Sequence, residues 1–474
     1  MASDSSKSDL ESPESPEIVS GPSGTPLSTH LAFVTVLIAV WAIVLESTAV
    51  NVALPFIAAD FDVSAATATW IVGMSQFIIV ALLLPMASLG ETVGYRRLFL
   101  SGMLLFSIAS VGCILAPSFN ALVAARAFQA VGTAATMSLS FAMARTIYAD
   151  KNLGAAIGIL ATAVAIASSG GPAIAGFLLE FSGWRGVFGL MLVCSALGFV
   201  GGSFLLPPNK PSDRRFDIKN SVLVALTLAC VLYVLNGFAN DWSLWSIMAA
   251  AGASVLGFIV LTRTSRGKEG AVFPLDLLAL PVFSLSVIAS VCAFSAQFLG
   301  FVLLPFYLLL GVGFSPVEMA LVLSVWPAST AILAPILGWA SDRIPAGPLG
   351  AAGLLIFAIG FFLLAAMPED VTTLGIAARL AVCGIGFAAF QTPNNRLVML
   401  SAPRDRSGAA SGMISLARQF GRALGTAIAA FTLASIPASG ALSAMNIAGI
   451  LALAGALATV VRAVALRDRK GSTE

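Results

Sequence analysis

Hydrophobic residues along this chain gather in long blocks, separated by short gaps that hold most of its charge. Fourteen blocks are long enough to span a membrane: about 31–54, 66–89, 97–116, 120–147, 154–179, 185–206, 219–237, 243–262, 280–306, 317–340, 349–367, 373–397, 408–433 and 441–464. A helix crosses ~30 Å of hydrocarbon in roughly 20 apolar residues. The blocks are too long and too evenly apolar for the alternation of barrel strands. They predict an all-α membrane protein with fourteen transmembrane helices.

The gaps alternate in sign. One set carries Arg96 and Arg97, Lys151, Lys210 with Arg214 and Arg215, Arg263 with Arg266 and Lys268, Arg343, and Arg404 with Arg406; Arg467, Arg469 and Lys470 follow the last block. The other set carries Asp60, Asp62, Glu180, Asp241, Glu318, Glu369 and Asp370, with Arg185 as its basic exception. Basic loops stay on the cytoplasmic side, so the first set and both termini are expected there, in a multi-pass protein of the cytoplasmic (inner) membrane. An odd helix count would break this alternation. Residues 1–29, rich in Ser, Pro and Glu, read as a disordered acidic cytoplasmic tail, since a signal peptide needs a basic start and an apolar core.

Composition narrows the chemistry. Of 474 residues, 58% are hydrophobic and 10% charged, against about 45–50% and about 25% in soluble domains. A net charge of +2 without a basic block gives no reason to expect nucleic acid. Cys113, Cys194, Cys230, Cys292 and Cys383 sit singly in apolar runs and read as packing residues. His30 is the only histidine, so a metal site or a histidine-based triad lacks material. There is no GxxxxGK(S/T) phosphate loop. The chain is expected to work without a cofactor or metal, and not as an enzyme, because one histidine and one deep acid do not make a catalytic cluster.

The chain also repeats itself. Leu54, Pro55 and Phe56 return as Leu304, Pro305 and Phe306 at an offset of 250, and ASLGETVGYRR (87–97) meets GWASDRIPAG (338–347) at 251, setting Glu91 on Asp342. RAFQAVG (126–132) meets RLAVCGIG (379–386) at 253, and LGAAIGIL (153–160) meets SGAASGMI (407–414) at 254, which sets Gly171 on Gly425. Matches in order at a nearly constant offset predict two six-helix halves, 30–206 and 280–466. A 207–279 linker holds two extra helices, and 467–474 forms a second cytoplasmic tail. Repeated halves with a site between them near the midplane are the architecture of secondary transporters.

With these motifs the sequence resembles the major facilitator superfamily, in its fourteen-helix drug:proton antiporter branch, over nearly everything after the first tail. LESTAVNVALP (45–55) is similar to that branch's first-helix signature LDxTxVNVALP, with Glu46 in place of the aspartate. ASLGETVGYRR resembles the loop motif GxLaDrxGrrr through Leu89, Gly94, Arg96 and Arg97, and Arg126, Gln129 and Gly132 match RxxQGxG. Gly158 through GGPAIAG (170–176) resembles the fifth-helix antiporter motif, with Ala167 and Ala175 replacing two glycines. The resemblance implies an alternating-access antiporter that exports hydrophobic or amphipathic small molecules, drugs among them, in exchange for protons. An exporter of one metabolite or lipid is the rival within transporters; a scaffold or enzyme on the same fold is the rival outside them. The expected partners are the substrate and the lipid bilayer, with the proton as coupling ion and a monomeric chain.

Glu46 is the only charge from Leu31 to Ala59. An acid at a helix centre costs roughly 2.5–3.5 kcal/mol, and such a residue defaults to function. Burial favours its protonated form and a nearby cation its ionised form, and a group balanced between the two can exchange a proton. Ala42, Ala49 and Ala53 share its helix face and suggest a cavity wall. Arg126, which the resemblance ties to proton coupling, lies at a similar depth and is expected to pair with Glu46 or a water chain. The plain alternatives are a fixed structural ion pair for Glu46, and an arginine reaching carbonyls or the outer surface.

Glu91, Arg96, Arg97, Asp342 and Arg343 are expected to form cytoplasmic gate contacts that break on switching, or to set topology alone. Gly158, Gly171, Pro172 and Gly176 predict close helix packing and a bend. Trp70, Gln76, Gln129, Gln297, Gln391, Arg418 and Gln419 are the candidate lining of a substrate cavity. The second half has no intramembrane acid, since Glu46 maps to Ala296. Arg418 falls about 15 Å into its helix, and with Arg422 it outnumbers Glu46. A singly charged cation, a zwitterion, and a neutral or anionic amphiphile all fit at this stage.

Overall fold

The computed structural model describes residues 27–148, 150–208, 216–237, 242–265, 273–368, 371–402, 407–435 and 442–471. Most of the expected acidic tail, and several charged connections used for the orientation, lie outside the described residues. Among the described residues there is no strand. Helix α1 runs Leu27–Asp60, α2 Trp70–Val93, α3 Tyr95–Ile114 and α4 Phe119–Ile147. The run Asp150–Leu205 is two helices, α5 (150–182) and α6 (184–205), joined at Gly183 with a φ of 65°, a backbone conformation that glycine adopts without steric cost. Then follow α7 Ile218–Gly237, α8 Leu244–Ser265, α9 Pro281–Phe306, α10 Pro316–Arg343, α11 Ala346–Ala365, α12 Thr373–Ser401, α13 Ser407–Ser435 and α14 Met445–Gly471.

These helices fall on the hydrophobic blocks. Eleven described runs are long and apolar enough to span a membrane, with α5 and α6 forming one continuous run. Helices α4 and α13 are of spanning length but more polar, because they carry Arg126 and Gln129, and Arg418, Gln419 and Arg422. Two boundaries differ from expectation. Helix α1 starts at Leu27, inside the expected tail, and α14 continues to Gly471, past 466. Ala, Leu and Arg are strong helix formers, so the last helix outruns its apolar block.

Side-chain caps start several helices at the end that carries the α1–α2 connection. Ser118 accepts the Ala121 N–H, and Thr372 the Gly375 N–H. Ser315 and Glu318 form a reciprocal capping box, which assigns Glu318 a structural task. Arg185, the basic exception at this end, donates to Asp60 at 3.1 Å and lies 4.1 Å over the Trp184 ring. Its charge is compensated locally.

Close backbone approaches recur at equivalent places in the first six and last six helices. A Cβ at Gly132 would lie 2.6 Å from the Gly102 carbonyl oxygen, and one at Gly386 2.8 Å from that of Gly353. These glycines seat α4 on α3 and α12 on α11. Likewise a Cβ at Gly171 would lie 2.2 Å from Thr48 Oγ1, and one at Gly425 2.3 Å from the Ser295 carbonyl oxygen. Helix α5 sits on α1 as α13 sits on α9. The two groups of six meet where α2 faces α13 and where α5 faces α10: a Cβ at Gly176 would lie 2.2 Å from Ala320 Cβ. Helices α7 and α8 pack on each other, and α7 packs on α2.

Candidate functional site

The site grows from one face of α4. Arg126, Gln129 and Thr133 stand at i, i+3 and i+7, so they share a helical stripe. That stripe meets the middle of α1. Arg126 donates through Nη2 to Glu46 Oε1 at 2.8 Å, and Thr133 Oγ1 donates to Glu46 Oε2 at 3.1 Å. Arg126 also donates to Gln129 Oε1 and, through Nε, to the Ile71 carbonyl at 3.4 Å. Gln129 Nε2 reaches Ser110 Oγ on α3 at 2.8 Å. The Phe188 ring of α6 stands 5.8 Å from the guanidinium carbon. Glu46 is 4% exposed and Arg126 1%.

A buried ion pair survives only when its remaining hydrogen-bonding capacity is met. Here both carboxylate oxygens and most of the guanidinium have partners, drawn from α1, α2 and α4. The expected pairing of Arg126 with Glu46 is therefore present. The expected cavity wall is not: Ala42, Ala49 and Ala53 are fully buried, because small side chains let neighbouring helices close over that face. Close by, a narrow cleft separates the two groups of six, with Thr48, Asn51 and Pro172 on one side and Phe301, Leu323 and Pro327 on the other. Asn51 Oδ1 is buried without a hydrogen-bond partner.

The remaining expectations divide. Gln129 belongs to the Glu46 cluster. Gln76 and Gln419 are buried, each with an unpartnered Oε1. Gln297 is buried on α9, and Gln391 is partly buried on α12. Trp70 stands at the start of α2 and stacks on Trp242, 5.6 Å between centroids, and Tyr233 lies 4.3 Å from the same Trp242 ring. Its place at the helix end puts it against the α7–α8 connection.

Of the expected gate residues in the first group, none takes part in the Glu46–Arg126 or Asp60–Arg185 ion pairs. Glu91 and Arg97 are exposed, and Arg96 donates to the Ser203 carbonyl of α6 at 2.6 Å. Arg343 is exposed beside Arg396 in a shallow cleft, and the Asp342 side chain lies outside the described residues, as does the surrounding of Gly158. Gly171, Pro172 and Gly176 do lie at close helix contacts or at the central cleft.

Sequence reasoning missed Arg462. It is fully buried on α14 and donates to Ser286 Oγ and Asn394 Oδ1, each at 2.6 Å. Asn394 in turn donates to Ser290 Oγ at 2.8 Å. The signal was a single arginine two residues before the end of the last apolar block. The equivalent of Arg126 by repeat, Arg379, donates instead to the Leu363 and Gly375 carbonyls at 3.0 and 2.9 Å. An acid is present on one side of the repeat only.

The sequence profile of the Major Facilitator Superfamily matches residues 36–426. The chain is 38% identical to the uncharacterized transporter YebQ of Escherichia coli, over 94% of this chain and 98% of that one. It is 28% identical to the riboflavin transporter RibZ of Clostridioides difficile, covering 84% of this chain and 86% of that one. It is 29% identical to the multidrug efflux pump LfrA of Mycolicibacterium smegmatis, covering 85% and 80%. A solved POT family transporter shares the fold at a TM-score of 0.69 and 17% identity, over 92% of this chain and 96% of that one. The helices, their repeat and the profile over most of the length agree: this is a multi-pass membrane transporter, not an enzyme, and the chain belongs to the Major Facilitator Superfamily.

Proposed function

We propose that the protein is a proton-coupled exporter of hydrophobic or amphipathic small molecules, working by alternating access as a monomer in the cytoplasmic membrane, with both termini inside. The observation that carries this reading is the buried Glu46–Arg126–Thr133 cluster. Protonation of Glu46 removes the charge that holds Arg126. The guanidinium then keeps Gln129 and the Ile71 carbonyl as acceptors, so a proton changes the contacts between α1, α2 and α4. A proton entering with the gradient would drive the switch, and each charge moved inward gains roughly 2.3 kcal/mol per 100 mV. No cofactor other than the proton enters this scheme.

The relatives bear on this reading in different ways. One is a multidrug efflux pump, which supports export, and another a riboflavin transporter, so an exporter of a single metabolite is the second reading. Inverted vesicles with an imposed proton gradient separate the two. Proton-driven movement of several unrelated lipophilic dyes, lost in Glu46→Gln, is the expected result. Movement that survives Glu46→Gln would remove the carboxylate from coupling. Proton-driven movement of one compound that the dyes fail to inhibit would favour the single-metabolite reading.

A further inference from the structure

Helix α13 has three sides. Gly421 and Gly425 press its backbone onto α9, where an added Cβ would lie 2.7 Å from the Val291 carbonyl oxygen and 2.3 Å from that of Ser295. Gly412 and Thr426 face α2: a Cβ at Gly412 would lie 3.4 Å from Leu84, and one at Gly73 3.8 Å from Thr426. Phe431, 52% exposed, faces outward. At ~100° per residue, Arg418 and Arg422 fall between the first two sides and opposite the third. They point into the space between the two groups of six helices.

Neither arginine has an ion pair among the described residues, and the buried Nε of each lacks an acceptor. What faces them is aromatic. Arg418 stands 5.7 Å from the centroid of Phe294, and Arg422 stands 5.8 Å from Phe294 and 4.9 Å from Phe298. Between them in sequence, Gln419 is 1% exposed with an unpartnered Oε1. Both side chains are partly buried; two like charges one helical turn apart repel each other, and burying part of each guanidinium without an anion is costly. Ring faces recover only part of that cost. Glu46 forms its ion pair with Arg126 and not with either of them, so three arginines share one acid near the seam.

We propose that Arg418 and Arg422, with Phe294 and Phe298, form the substrate subsite, and that it takes an amphipathic organic anion. The acidic group would sit in the guanidinium forks, a planar arrangement suited to carboxylate. The ring body would lie on the two phenylalanines. This rests on the exporter reading and adds the charge of the substrate to it.

Direct binding to the full chain in phosphatidylcholine nanodiscs tests it with three probes of one shape: 2-naphthoate, 2-naphthylmethanol and 2-naphthylmethyltrimethylammonium. The wild type is expected to bind naphthoate at least about tenfold more tightly than the ammonium probe. Arg418→Gln and Arg422→Gln should each weaken naphthoate about tenfold and leave naphthylmethanol within about twofold. Equal or tighter binding of the ammonium probe overturns the proposal, and this wild-type comparison decides even where a variant fails to fold. An unchanged naphthoate affinity in the folded double variant overturns it too. Loss of naphthoate binding when phosphatidylglycerol is added would place a lipid headgroup at the arginines and overturn the assignment to substrate. Naphthoate binding without proton-driven transport in vesicles defeats the exporter reading alone. Proton-driven transport of the ammonium probe by a chain that does not bind naphthoate defeats the charge assignment alone.

Discussion

Glu46 and Arg126 hold each other in a place where neither is tolerable alone. Arg126→Gln should leave an uncompensated buried carboxylate and destabilise the fold by about 3–5 kcal/mol, read as a lowered unfolding temperature in detergent. Glu46→Gln with Arg126→Gln should recover most of that loss, since two amides carry no stranded charge. A double variant as unstable as the single one would mean that the arginine acts through its Ile71 and Gln129 contacts instead. The pair was legible in the sequence because each charge interrupts an apolar block. The position of Trp70 was not, since a tryptophan at a block edge carries no signal of which ring it will meet. Arg462 was illegible for a related reason: its place near a block's end does not say what it meets, and only the Ser286 and Asn394 side chains of two other helices reveal its partners.

At the scale of helices, the block pattern located the elements well, because roughly 20 apolar residues have one use in a bilayer. What it left out was which glycines bring helices together and against what. Gly171 and Gly386 differ in this respect. Gly171 faces a side chain, Thr48, whereas Gly386 faces the backbone of Phe357 and Gly353. Gly171→Ala should cost about 1–3 kcal/mol through overpacking, and adding Thr48→Ala should return most of it, because the hydroxyl is the nearest obstacle. Gly386→Ala should cost at least as much, with no neighbouring side chain whose truncation restores it. Thermal unfolding of the single and double variants measures both. Rescue of Gly386→Ala by a side-chain truncation on α11 would show that α12 can be re-seated, and that the backbone contact is not the limit.

For the whole molecule, the telling feature is that similar packing carries unlike chemistry. The glycine contacts repeat between the first and last six helices, yet the acid is in the first group and the unpaired cations are in the last. A transporter built this way can place its proton site and its substrate site on opposite sides of the seam, so that movement along the seam couples them. Gly176 is a close contact across that seam towards the α1–α2 end, with Ala320 and the Pro316 carbonyl against it. Gly176→Val should force α5 and α10 apart there. If overpacking costs about 1–3 kcal/mol in this closed arrangement and nothing in the opposite one, the equilibrium moves about 5- to 150-fold. Asn51, in the cleft behind that contact, reports the change when replaced by cysteine in a chain without other cysteines. An impermeant maleimide should label Asn51→Cys several-fold faster in intact cells when Gly176→Val is present, and more slowly in inverted vesicles. Faster labelling in vesicles than in cells would reverse the expected orientation of the chain. Unchanged rates on both sides would mean that this contact does not close the pathway, and that α2 against α13 holds it shut.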